Sequence, residues 1–370
     1  MMSILALTLA VLAPLGPEGP SPGENPAQPE PVGQSSRGWV FSSLPHVDLW
    51  FHGMASVDPF GPGPQPLYDP SYPARIRAVK EEAGFFPTPL DEHSGRFRDA
   101  FRADPAFEVF HFLPLYFADA SRIEFFSALE ALAVASERIP RATSPNTSMG
   151  LMATGAVLPT RGQREVLGEF VAVLQAEDAF FGRFRRGAAA HREASHRALQ
   201  IFWDGEFGPK LGALLKGLGL SGGTVVLSDA LGLEGRVFAG DPRNDRDNVL
   251  VVSSPKAGED DETVIFSMIR ELSFPLARRV LASPEAGGGQ GPVAEELVVR
   301  AAVRSGAMVM EMFFPGFLPG YQKFFLSRDG HPVPAEGELD NAFQRAFPLG
   351  ASVATALRAE IIELNKVDTE

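Results

Sequence analysis

Residues 270 and 274 lie four apart and flank a carboxylate, Glu271, in the run Arg270-Glu271-Leu272-Ser273-Phe274. On a helix that spacing puts both outer positions on one face, with residue 271 beside them. Histidines at the two outer positions would hold zinc through neutral ring nitrogens, and the Glu would take a proton from metal-bound water. Neither histidine is present. A guanidinium stays protonated and offers no lone pair, and a phenyl ring has no donor atom. These residue types predict no zinc binding by this helix. Glu271 is then left with no metal-bound water to activate.

The elements that must position these residues can be read around them. Asn248–Ser253 (NVLVVS) is a β-branched run ahead of the helix, with Thr224–Ser228 (TVVLS) and Arg236–Ala239 (RVFA) as neighbouring strands. Helical patterning spans residues 263–280, Pro275 directly follows Phe274, a Gly-rich break comes next, and Glu296–Ala301 (ELVVRA) begins a second helix. This arrangement resembles the gluzincin branch of the zincin metallopeptidases, as found in bacterial extracytoplasmic domains, with a degenerate His-Glu-x-x-His motif. The resemblance covers residues 40–365 in order, and its specific residues are confined to 262–302. It implies a zincin-like core, with zinc as the cofactor of the ancestral fold. It makes Glu271 a vestigial general base and Arg270 and Phe274 vestigial ligand positions, and it implies a third such position at Glu296 or Glu295, which lie 22 and 21 positions after Phe274. An edge strand along the substrate cleft is implied as well, here at 248–253, which could hold an extended peptide or protein segment.

With the metal ligands gone, a positive charge stands where a cation's ligand was. The expectation is that Arg270 replaces the zinc electrostatically and pairs with Glu296 across the two helices, while Phe274 fills the second ligand's volume. Three functions fit this reading. One is an exported, catalytically inactive pseudo-metallopeptidase that acts in binding or scaffolding. A second is a working hydrolase whose metal ligands come from His46, His52, His93, His111, His191 or His196. The third is a helical protein with a small sheet and no relation to zincins.

The 370 residues, 45% of them hydrophobic, are enough for a real core. A net charge of −13 argues against nucleic acid or an anionic membrane as partner. The short basic run Arg183–Arg186 is expected to be solvated. With no cysteine there is no disulfide, thiolate metal site or Cys nucleophile. Ile4–Leu15 has the length of a signal-peptide core and is too short to span a bilayer, so residues 1–15 predict export, periplasmic or secreted, with no integral membrane span in the mature chain. Residues 16–38 are a Pro/Gly-rich linker with almost no apolar content, expected to be disordered. The fold expected is α+β, mostly helical with a small mixed or antiparallel sheet. Residues 39–222 form the mainly helical part, and residues 223–370 hold the sheet, the motif helix, the Glu helix and a closing helix at Ala351–Leu364.

The remaining motifs favour structure over chemistry. His46 and His52, six apart on a helix, diverge by roughly 120°, and His191 and His196, five apart, by roughly 140°, so neither pair suits one ion. Gly217–Gly222 spells G-x-G-x-x-G, but a helix precedes it and a strand follows, the reverse of a dinucleotide site, so it reads as a helix end and turn. Asp241–Asn248 reads as a polar hairpin turn. Met308–Phe325 is core, with Tyr321 and His331 the only later residues that could assist an oxyanion. No G-x-S-x-G, Walker loop or S-x-x-K is present.

Overall fold

The computed structural model describes residues 38–366 apart from 59–60, 62–65, 136–138, 140–143, 233, 241–247, 257–258 and 284–293. The expected signal segment, nearly all of the linker, and the proposed hairpin turn up to residue 247 therefore lie outside the described residues. The fold is α+β and mostly helical, with one small mixed sheet. Its strands are β1 (Trp39–Phe41), β2 (Gly223–Ser228), β3 (Arg236–Phe238) and β4 (Val249–Ser253), in the order β1-β2-β4-β3. β1, β2 and β4 run parallel, and β3 is antiparallel to β4.

Both faces of the sheet are buried, which explains the unbroken apolar runs of β2 and β4. Val225, Leu227, Leu250 and Val252 face one hydrophobic cluster, and Val226, Val249 and Val251 face the other. This is the period-two alternation of a strand read from its two sides. The second cluster is built from α1 (Pro45–Val57), α2 (Tyr72–Glu82), α3 (Pro89–Ala103), α4 (Arg122–Val134), α5 (Pro145–Val157) and α6 (Arg161–Gly187). The first holds β1, the end of α7 (Ala189–Phe202), α8 (Gly208–Gly217), α9 (Glu262–Leu272), α10 (Phe274–Leu281) and α11 (Glu295–Phe313). It is completed by α12 (Leu318–Arg328), α13 (Leu339–Ala346) and α14 (Ala351–Lys366). The sheet is thus a middle layer, and the division between cores follows its two faces instead of a cut near residue 222.

Local signals explain the helix ends. Ser121 and Glu124 form a capping box that starts α4, and Thr160 with Gln163 does the same for α6. α6 ends at Gly187. α8 ends at Gly217, and Gly219 takes a φ of +73° before β2, so the glycine fingerprint is a helix end and turn as expected. The motif helix differs from its expectation. It is two helices, α9 and α10, broken at Ser273, with Pro275 in the first turn of α10.

Candidate functional site

α9 lies against the sheet and buries Arg270 and Glu271 completely or nearly so, at 0% and 2% exposure. An arginine so placed needs anions, and two are supplied. Arg270 Nη1 donates to Glu271 Oε1 at 2.5 Å, and its Nη2 lies 3.7 Å from Glu234 Oε1. Glu234 also pairs with Arg236 at 2.8 Å, and Arg236 Nη1 donates to the Gly235 carbonyl at 2.7 Å. The backbone N–H of Gly235 donates to Glu271 Oε1 at 2.9 Å. The result is a neutral knot of two guanidinium and two carboxylate groups that ties the head of β3 to the last turn of α9.

Its electrostatics follow from burial. Desolvation lifts the Glu271 carboxyl above the ordinary carboxylate range, against the pull of Arg270 and then Arg236. Burial also works against the charge on Arg236, but Glu234 and then Glu271 outweigh it and hold Arg236 protonated. The remaining faces are aromatic. The Arg270 guanidinium sits 5.1 Å from the Phe274 ring and that of Arg236 5.0 Å from Phe112. Gly235 is required at its position: a Cβ there would lie 2.4 Å from the Val251 carbonyl and 2.9 Å from Glu271 Cγ.

Two sequence expectations about this site are overturned. Arg270 does not pair with Glu296. Glu296 is exposed and pairs with Arg300 one turn along its own helix, while Glu295 pairs with Arg278 at 2.8 Å. The first turn of α11 therefore keeps its carboxylates on surface arginines, and the anions that Arg270 meets are its neighbour Glu271 and, farther off, Glu234 from the loop before β3. Asn248–Ser253 is not an edge strand either. β4 is flanked by β2 along its whole length and by β3 opposite Val249–Val251, and all five of its residues are buried, so no extended peptide can add there. The antiparallel edge is β3. Phe274, expected to fill the second ligand's volume, is half-buried across the α9–α10 break with its ring 5.1 Å from Arg270.

The side chains here do not fit zinc: Arg270 and Phe274 offer no lone pair, Glu271 is held by an N–H and a guanidinium, and Glu296 points elsewhere. Among the described residues no group of three or more histidine or acidic side chains is arranged to hold one ion. The histidines offered for a second metal site are spread apart, four of them in other contacts. His46 contacts the Phe117 carbonyl at 3.0 Å, and His111 the Tyr68 hydroxyl at 2.7 Å. His52 lies between the Tyr72 hydroxyl at 2.9 Å and Glu177 at 3.0 Å. His93 is exposed near Phe97, His191 is exposed, and His196 is half-buried on α7. Tyr321 donates to the Val303 carbonyl at 3.0 Å, and His331 meets Asp329 at 3.1 Å. An open groove of about 370 Å³ lies between the first turns of α9 and α12, lined by Glu262, Phe266, Gly320 and Phe324, but neither Arg270 nor Glu271 lines it.

Comparison with protein-family models, curated proteins and solved structures gives no match.

Two further charge clusters escaped sequence reading. In the helical layer, the fully buried Lys80 reaches Asp91 at 2.9 Å, the Thr88 hydroxyl at 2.9 Å and Glu177 at 2.7 Å, and Glu177 also receives His52. At the carboxyl ends of β1 and β2, Arg192 bridges Asp48 at 2.8 Å and Asp229 at 2.5 Å, while Arg185 meets Asp48 at 3.2 Å and the Ser43 hydroxyl. Arg185 is thus mostly buried, which departs from the expectation of a solvated Arg183–Arg186 run, while Arg183 and Arg186 are exposed as expected. The clue available in sequence was the presence of single charges inside apolar helices, as at Asp48 and Glu177.

Proposed function

We propose that the chain is an exported, non-catalytic binding or scaffolding protein on a zincin-like core whose metal site has been replaced by an internal ion cluster. The observation that carries this reading is the buried Arg270 guanidinium seated on Glu271, with Glu234 3.7 Å away on its other side. The carboxylate that would activate water is instead a structural acceptor for the Gly235 N–H. A single antiparallel edge strand beside the strand that leads into α9 also agrees with the zincin-like reading. Export rests on the Ile4–Leu15 segment, and no described helix is long and apolar enough to cross a membrane. The sheet edge available to an extended partner segment is β3, since β4 is enclosed.

The test is metal content with a positive control. Protein equilibrated with excess zinc and then exchanged into metal-free buffer should carry near-zero zinc by elemental mass spectrometry. About one zinc per chain, lost in Glu271→Ala, would overturn the proposal and call for peptidase assays.

A further inference from the structure

The groove between α9 and α12 encloses about 370 Å³, at the small end of the range that takes a small molecule. Five charged side chains line it, and three of them are already paired. Glu259 neutralises Arg328 at 2.8 Å, and that guanidinium lies 4.8 Å from the Phe324 ring. Lys323 pairs with Glu336 at 3.2 Å. Asp260 and Glu262 remain, with no ion pair to any described residue. Asp260 is exposed, so water meets its charge, whereas Glu262 is half-buried.

A carboxylate in the first turn of a helix is favoured by the peptide dipoles, which accounts for Glu262 on α9 but not for what surrounds it. Gly320 stands opposite, in the first turn of α12. A Cβ there would lie 3.1 Å from Phe266 Cζ and 3.8 Å from Glu262 Oε2, so one spot on the groove floor touches a ring and a carboxylate together. Phe266 leans on Phe324 with centroids 5.9 Å apart, which makes the two rings one wall. Glu259, Arg328 and Phe324 are a complete set of carboxylate, cation and ring. Glu262 and Phe266 repeat the carboxylate and the ring without the cation.

We propose that this groove binds a small organic ammonium ion, with its nitrogen on Glu262 and its hydrocarbon part on Phe266 and Phe324 above Gly320. Charge and size select this occupant. An anion would be repelled by two unpaired carboxylates, and a neutral ligand would cover Glu262 without answering its charge. A partner protein needs far more surface than this groove presents. The proposal is independent of the zincin-like reading, because neither Arg270 nor Glu271 lines the groove.

The probe is phenethylammonium, titrated into the full-length chain with phenethyl alcohol and phenylpropionate as its neutral and anionic counterparts. Amide chemical shifts at Glu262 and Gly320 report binding in the groove. Phenethylammonium should shift both amides saturably, with a Kd in the millimolar range or tighter. The alcohol should bind about tenfold more weakly, the effect of one charge-assisted contact, and phenylpropionate should not bind. Glu262→Gln should weaken the ammonium ion by the same factor. Gly320→Ala, a substitution that suits a helix, should remove binding by placing a methyl where ring and carboxylate meet. Circular dichroism confirms that each variant is folded, and either one suffices if the other is not. The proposal is overturned if binding does not saturate, if the shifts lie outside the groove, if the alcohol or the anion binds as well as the ammonium ion, or if a folded Glu262→Gln keeps full affinity.

Discussion

Removing Arg270 tests the ion knot most directly. In Arg270→Ala, Glu271 and Glu234 remain buried, at 2% and 4% exposure, with only Arg236 to answer two carboxylates. Breaking a buried pair from one side costs about 3–5 kcal/mol, because the group left behind is desolvated and unpaired. The Phe274 ring also loses a guanidinium 5.1 Å away, which falls within the same figure. Removing both partners should cost far less: Arg270→Met with Glu271→Leu replaces charge by packed apolar volume and leaves Glu234 paired with Arg236. Urea titration followed by circular dichroism at neutral pH reads both variants. The pH dependence supplies an independent sign. The Glu271 carboxyl is already lifted by burial, and without Arg270 it rises further. A carboxyl raised in the folded state stabilises below its unfolded value near 4.3 and loses that contribution as pH rises through the folded value. The deficit of Arg270→Ala should therefore narrow toward acid. A loss under about 1 kcal/mol at neutral pH, or a deficit constant with pH, would refute the account of Arg270 as a neutralised internal cation.

Other perturbations follow from the same packing. Gly235→Ala should destabilise by roughly 1–3 kcal/mol in urea titration, since the new methyl meets the Val251 carbonyl, a backbone atom of an enclosed strand. Lys80→Met should cost about 3–5 kcal/mol by leaving Glu177 buried without its ammonium, and Glu177→Leu in the same chain should recover most of it. Burial lowers His46 to about 4 and His111 to about 3. Their contribution is whole above the unfolded value near 6.5 and is lost as pH falls through the folded values. The urea midpoint should therefore drop between about pH 6.5 and 4, and His111→Gln should flatten that drop.

Much of the local structure was settled by residue type. The helix end at Gly217 and the turn at Gly219 depend on contacts within a few residues, so they were readable along the chain, and the capping boxes at Ser121 and Thr160 are equally local. The inability of residues 270 and 274 to bind a metal was equally fixed by side-chain chemistry. The partner of Arg270 was not. The resemblance pointed to Glu296 on the second helix, whereas the fold set Arg270 on Glu271 and brought Glu234 from the loop ahead of β3. The same holds for strand order: β4 reads as an edge or an interior strand with equal ease, because an apolar run shows that a strand is buried but not which strands flank it. Gln200 meets Phe41, Asp48 meets Ser228 and Glu177 meets His52, each more than a hundred positions away, and only the packing of α1, α6 and α7 around the sheet brings those groups together. Local propensity thus determined where elements begin and end, while the demand of each buried charge for an opposite charge was met by whichever partner the tertiary fold brought within reach.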